Sequence, residues 1–401
     1  MKLGVNEKRL SNLLSVLIHT TRFFQLCSYC YLRLQCIIRT QTMKLEHRMG
    51  QLLLIGLPGA ELDLMTRSLL QSIQPGGILL NTQNIESPQQ VVELTSAIRS
   101  LIDVPPIIAV DQEGGRIDPL KQIYSAMPSG DLLRASGDAS IAARMGEITA
   151  EALRTLGFNI NFAPVLDIAT DDEANIGLKG RYLGSSVAEV VRLGGAYLEG
   201  LQRGGVVGAG KHFPGLGAAN IVSGSKLPTV ERSRDEILKY DAAPYSELFS
   251  KINARLNAVI VAHAHYPAFD GPAPLPSSLS RNIVTGLLRE ELGFKGLAIT
   301  DDLTMEAVTD SRELPESAVM AIEAGADMVV IASHEHATAA WETMVKAAGE
   351  SRITAAHISR AFDHIARIKS MLSPPHAYSE QAITRLRERI GELNLLLQHS
   401  K

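Results

Sequence analysis

From residue 51 onward, short and almost unbroken apolar runs alternate with longer stretches in which apolar residues recur every three or four positions. An apolar run without polar alternation suits a strand buried on both faces, and the longer pattern is one face of a helix. The runs predict strands over 51–56, 76–80, 106–110, 158–164, 205–209, 257–262, 296–300 and 327–331. Helices are predicted between them over about 61–73, 88–102, 137–156, 187–203, 231–252, 280–292, 316–324 and 336–348, with Gly157 and Gly293 as stop signals. Regular alternation of strand and helix indicates a parallel sheet. Eight units close a (β/α)8 barrel, so the expected fold class is α/β, a single TIM-type barrel. The alternative is an open doubly wound sheet, but the Gly-rich phosphate loop such sheets often carry does not follow the first run.

The ends of the chain read differently. A helix over 353–372 meets the breaker Pro374-Pro375, and a charged segment over 380–398 sets Leu386, Ile390, Leu393 and Leu397 on one face. That face packs on its own barrel or, in a homodimer, on a second copy. Residues 1–42 carry Lys2, Lys8, Arg9, Arg22, Arg33 and Arg39 against the single acid Glu7. Their apolar patches fall short of the roughly 20 residues that span a membrane. As a signal peptide, the stretch over 10–38 lacks a clean small-residue cleavage site. Met43 opens an ordinary domain start, so a wrongly assigned upstream start is one reading of the segment, on which a chain beginning at Met43 is expected to fold. The expected division is an extension over 1–42, a barrel over 43–375 and a helical tail over 376–401.

Composition narrows the function. With 45% hydrophobic and 20% charged residues in 401, the chain is globular and able to bury a large core. A net charge of -4 and the lack of any basic run interleaved with aromatics exclude nucleic acid as an expected partner. Cys27, Cys30 and Cys36 all lie in the first segment, which leaves the barrel without disulfides and fits a reducing compartment; the expected location is the cytoplasm. The Cys27-Ser-Tyr-Cys30 spacing has no second pair to complete a zinc site.

A (β/α)8 barrel builds its active site at the C-terminal ends of its strands. Here those ends carry Asp111-Gln-Glu-Gly-Gly-Arg116, Asp167 with Lys179-Gly-Arg181 in the loop beyond it, Lys211-His212, His263-Ala-His265 and Asp301-Asp302. Each has a plain structural use: Asp111 as a turn cap, Lys211 as a solvated charge, His263 as a core histidine, Asp301-Asp302 as a helix N-cap. Gathered on one rim, they suit a polyhydroxylated substrate and attack by a carboxylate on an anomeric carbon. Phosphate binding is the competing use of the cations, yet Ala332-Ser-His-Glu after the last strand is not glycine-rich. A metal held by His212, His263 and His265 would need further ligands, so no metal and no cofactor is expected.

The strings AVDQEGGR, NFAPVLD, GRYLG, KHFPG, AHAHYPA, LREELGFKGLAITDDLTM and AGADMVV resemble the family 3 glycoside hydrolases, specifically their single-domain β-N-acetylhexosaminidase branch, over about 45–350. The resemblance implies a barrel of that family's N-terminal type, a small carbohydrate substrate with terminal β-linked N-acetylhexosamine, and retention of configuration. It makes Asp301 the catalytic nucleophile, and Asp111, Arg181, Lys211 and His212 the residues that hold the sugar. The chain also departs from the pattern. In that branch the loop after KHFPG reads on to an Asp-Ser-His triplet whose His is the general acid/base; Val222, Ser223 and Gly224 fall on it here, and no Asp, Glu or His occurs from Phe213 to Val230. Pro119 replaces a common substrate-binding Arg, with Lys121 nearby, and Leu216 replaces a His. These departures imply an impaired acid step, for which Glu306, His265 or the substrate's own acetamido group are stand-ins. They also leave two other readings, a silent sugar-binding or regulatory barrel and glycosyl transfer to phosphate.

Overall fold

The structure, a computed structural model, describes residues 43–170, 177–221 and 226–398. The extension over 1–42 with its Cys27-Cys30 pair, and the Val222 to Gly224 departure, lie outside the described residues. The strands are β1 (Leu53–Gly56), β2 (Gly77–Leu79), β3 (Ile107–Val110), β4 (Ile160–Asn161), β5 (Val207–Phe213), β6 (Asn220–Ile221), β7 (Pro228–Thr229), β8 (Ala258–Val261), β9 (Leu297–Asp302) and β10 (Met328–Ile331). Eight of them close a parallel barrel in the order β1-β10-β9-β8-β5-β4-β3-β2, while β6 and β7 form a separate antiparallel pair between β5 and β8 in sequence. The expected (β/α)8 architecture is therefore the observed one. Every residue of β1, β2, β3, β8 and β10 is buried, as the apolar runs require of strands covered on both faces. Among the described residues no helix is long and apolar enough to cross a membrane.

Element bounds move where polar chemistry overrides the hydrophobic pattern. The run over 158–164 yields only Ile160–Asn161, because Pro164 has no N–H for the ladder; pairing resumes at Val165, which bridges to Lys211. The run over 205–209 instead extends to Phe213, because Lys211 and His212 find partners inside the barrel mouth and stay in the strand. The helix expected over 137–156 is observed as Ala139–Leu156, and a further helix that the pattern did not predict precedes it. Gly130–Ser136 ends at Gly137, whose φ of 60° lies in the left-handed region, and Ala139–Leu156 restarts with Asp138 accepting from the Ser140 N–H. The helix expected over 231–252 is broken before Ala243–Ser250, where Pro244 occupies the first turn. The C-terminal helix Glu380–Gln398 buries Ile383, Leu386, Ile390, Leu393 and Leu397 and packs on Ala139–Leu156 of the same chain, so its apolar face belongs to its own barrel.

A buried acid lies behind the KHFPG turn. Asp241 is 2% exposed, accepts from Arg232 Nη1 at 2.7 Å, and has no hydrogen-bond partner for Oδ2 among the described residues. Burial pushes its carboxyl up to about 6, with Arg232 only partly opposing. The folded state thus holds this proton more tightly than the unfolded chain, so stability falls as pH rises from 3.8 through about 6. Two pKa units correspond to roughly 2–3 kcal/mol. Asp241→Asn removes that charge, and is expected to raise the urea midpoint at pH 7.5 by about 1–2 kcal/mol equivalent, after the loss of the Arg232 pair, with no gain at pH 4. A variant less stable than wild type at pH 7.5 would overturn this account.

Candidate active site

The site is assembled by the loop after β3. Asn161 of β4 clamps the first residue past Asp111: its Oδ1 accepts from Gln112 N at 2.9 Å and its Nδ2 donates to Gln112 O at 2.8 Å. Gln112 Nε2 in turn donates to Asp118 Oδ1 at 2.8 Å, and Asp118 Oδ2 accepts from Met127 N at 2.7 Å. Between these anchors the chain reverses through Gly114 at φ 94° and Gly115 at φ 60°. A Cβ on Gly114 would strike the Pro128 carbonyl, so the reversal admits only glycine there. The consequence is that Asp111 and Glu113 converge on one cation from β5. Lys211 Nζ lies 2.5 Å from Asp111 Oδ1 and 2.5 Å from Glu113 Oε1, with its side chain 4% exposed.

Arg181, from the loop that follows β4, completes the ring. Its Nε and Nη2 fork onto Glu113 Oε2 and Oε1 at 2.7 and 2.8 Å, and Nη2 stands 3.3 Å from His212 Nε2. His212 donates through Nδ1 to Asp167 Oδ2 at 2.7 Å, and Asp167 Oδ1 accepts from Leu216 N at 2.6 Å. A continuous chain of charge-assisted contacts thus runs from Asp111 through Lys211, Glu113, Arg181 and His212 to Asp167. Burial raises the Glu113 carboxyl, but Lys211 and Arg181 outweigh it and hold the group at about 2. Burial likewise raises Asp111, and there Lys211 offsets only part of the rise. The Lys211 ammonium is penalised by burial but held above its ordinary value by Asp111 and Glu113, so it stays charged.

Asp301 enters from β9 on the same cleft. Burial raises its carboxyl, and His212, His263, the Asp302 N–H and Lys211 together bring it below the ordinary aspartate value. Its Oδ1 accepts from Asp302 N at 2.9 Å. Asp302 has another duty: Oδ1 accepts from Thr304 N and Ala332 N at 3.0 Å each, and Oδ2 from Thr304 Oγ1 at 2.5 Å. It tightens the turn after β9 and ties it to the end of β10. The following helix Glu306–Thr309 has Met305 at its N-cap position, so neither aspartate is a helix cap.

A cleft of ≈ 470 Å³ is lined by Asp111, Glu113, Arg181, Lys211, His212 and Asp301, together with Pro119 and Lys121 on its outer wall. That volume is in the range of sites that enclose a small ligand. All five residues expected to form the site therefore meet on one cavity. The proposed stand-ins do not. Glu306 is 75% exposed and paired with Lys226 at 3.1 Å, and His265 is buried, is not among the residues lining the cleft, and has Nδ1 accepting from Leu275 N. His263 is a core histidine: Nε2–H donates to Asp302 O at 3.0 Å, while Nδ1 is 2.8 Å from Ser278 Oγ. Among the described residues no group of three or more His, Cys, Asp or Glu is placed to hold a metal ion. Sequence reasoning set Glu113 and Asp167 at the strand ends but gave neither a role in the site. Both lie inside the motifs AVDQEGGR and NFAPVLD, and the signal was that two cations on the rim need buried anionic partners.

Comparison with known proteins agrees with this geometry. Residues 44–368 match the glycosyl hydrolase family 3 N-terminal domain. A β-hexosaminidase of Alkalilimnicola ehrlichii is 35% identical over 294 residues, covering 72% of this chain and 82% of the relative. One of Nitrosomonas eutropha is 34% identical over 285 residues, covering 70% and 80%. Among solved structures, a glycoside hydrolase family 3 β-N-acetylglucosaminidase from Paenibacillus sp. superposes with a TM-score of 0.80 at 33% identity, over 88% of this chain and 69% of that one. A parallel eight-stranded barrel with these residues at its mouth, matched over most of its length by these relatives, belongs to glycosyl hydrolase family 3 and is a glycosidase.

Proposed function

We propose that this chain is a retaining, exo-acting glycosidase for terminal β-linked N-acetylhexosamine, with Asp301 as its nucleophile. The observation that carries the proposal is the Asp301 carboxylate, kept anionic on the same cleft as a ring of two carboxylates, two cations and an imidazole. Such a ring can grip vicinal hydroxyls: Asp111 and Glu113 accept from them, and Lys211 and Arg181 supply the matching donors. A ring so held presents its anomeric carbon to Asp301, with the oxygen not engaged by Asp302 N as the attacking atom. The relatives' names, β-hexosaminidase and β-N-acetylglucosaminidase, favour an N-acetylated sugar. The cytoplasmic location and an impaired or non-standard acid step are part of the same proposal.

The test is turnover of an aryl β-N-acetylglucosaminide, followed by mass spectrometry after exposure to a fluorinated mechanism-based sugar. The expected outcome is release of the aryl alcohol with first formation of the β-anomer of the sugar, and one sugar adduct on the peptide containing Asp301. Absence of both turnover and adduct would overturn the proposal. Saturable calorimetric binding without turnover would mark a sugar-binding barrel, and a rate that rises with added phosphate would mark transfer to phosphate.

A further inference from the structure

Resting on the glycosidase reading above, we propose that His212, oriented by Asp167, is the proton-transferring residue of this chain. A retaining glycosidase needs one group that gives a proton to the departing oxygen and later takes one from water. Nothing between Phe213 and Val230 can do so, because that stretch contains no Asp, Glu or His. The groups that border the cleft narrow the choice. Glu113 is clamped by Lys211 and both arms of Arg181, and Asp118 has each oxygen engaged by Gln112 or Met127. Asp111 is paired with Lys211, the arginines do not give up protons, and Asp301 is committed to bond formation. Among the described residues that line the cleft, His212 is the side chain that remains beside the lysines, and imidazole is the group whose class exchanges protons near neutral pH.

The surroundings of His212 are those of a base with an orienter. Asp167 is fully buried in its side chain, and its second oxygen is fixed by Leu216 N, so it can hold the ring but cannot reach a substrate. The Nδ1–H contact to Asp167 leaves the Nε2 lone pair as the proton site of the neutral ring. The only partner recorded for Nε2 among the described residues is Arg181 Nη2, at the long distance of 3.3 Å, and that arm is already bonded to Glu113. The charged groups that bear on the ring are Asp167 behind it, Asp301 across the cleft, Arg181 beside it and Lys211 next in the strand.

The proton balance follows. In the first step an Asp301 oxygen bonds to the anomeric carbon as the carbon–oxygen bond to the leaving group breaks, and Nε2–H passes its proton to the departing oxygen, leaving a neutral ring and a free alcohol. In the second step water bonds to the anomeric carbon as the bond to Asp301 breaks, and Nε2 takes the water proton. The imidazolium is restored, and one water has been consumed.

The experiment compares wild type, His212→Ala, His212→Gln and Asp167→Asn on β-N-acetylglucosaminides whose leaving groups range from strongly acidic phenols to alkyl alcohols, with and without azide. The expected result for His212→Ala is a loss of about 10²–10⁴-fold with alkyl leaving groups and a much smaller one in the glycosylation step with the most acidic phenols. Azide is expected to accelerate that variant and to yield the β-glycosyl azide. Asp167→Asn is expected to lower kcat more than it raises KM and to move a limb of the pH profile. If His212→Ala does not fold, as judged by circular dichroism, His212→Gln carries the same leaving-group comparison, since it has a hydrogen-bonding amide but no proton to exchange. A loss equal across all leaving groups, carried in KM and unaffected by azide, would show His212 to be only a sugar-holding residue. With an active wild type that result overturns this assignment alone; a wild type inert on every glycoside overturns the glycosidase reading and the assignment with it.

Discussion

Asp301→Ala is expected to cut turnover of an activated aryl β-N-acetylglucosaminide by on the order of 10³-fold or more, while leaving the protein folded. Loss of the nucleophile closes the covalent route, and a barrier increase of about 4 kcal/mol already corresponds to that factor. The loss should appear in kcat, because Asp111, Lys211, Glu113 and Arg181 form their contacts without Asp301. Stability should change little. The carboxylate makes one hydrogen bond among the described residues, to the neighbouring Asp302 N–H, and no ion pair. Its anionic state also sets an acid limit. Because its carboxyl lies below the ordinary 3.8, the nucleophile should stay competent throughout the weakly acidic range, and the acid limb of kcat/KM for wild type should not come from this group above that value. The measurement is steady-state kinetics beside a thermal melt. A variant that keeps a tenth of wild-type turnover would remove Asp301 from the nucleophile's role.

The barrel was legible because parallel strands buried on both faces need no polar alternation, and runs such as Leu53 to Ile55, Ile107 to Val110 and Met328 to Ile331 have little else to do. Legibility failed where a charged residue is buried by partners distant in sequence. Lys211 and His212 looked like the end of β5, and only the convergence of Asp111, Glu113 and Asp167, from two other strand ends, explains why the strand continues through them. Asp301 and Asp302 are neighbours of identical type, and sequence alone could not divide their labour. The backbone does: Asp302 is turned onto Thr304 and Ala332, which leaves Asp301 on the cleft. The possible stand-ins Glu306 and His265 were chosen by position along the chain, and position along the chain says nothing of exposure.

Lys211→Met should cost about 3–5 kcal/mol of stability at pH 7, the usual result of removing one partner from a buried ionic cluster. Wild type has Lys211 between Asp111 and Glu113, with Arg181 on the far side of Glu113. The substitution keeps most of the side-chain volume but leaves two acids beside one another with a single guanidinium, and Asp111 loses its only ion pair among the described residues. The pH dependence fixes the cause. Glu113 is lowered from 4.5 to about 2, so its stabilising contribution is fully present above 4.5 and is lost as pH falls through about 2. Without the ammonium, both carboxyls titrate at higher pH, and protonating them relieves the repulsion that the substitution created. The gap between wild type and variant, read from urea unfolding midpoints, should therefore be largest at pH 6–7 and shrink by pH 3.5. A gap below about 1 kcal/mol at pH 7, or one that does not narrow on acidification, would mean that Lys211 is held by packing and not by the two carboxylates.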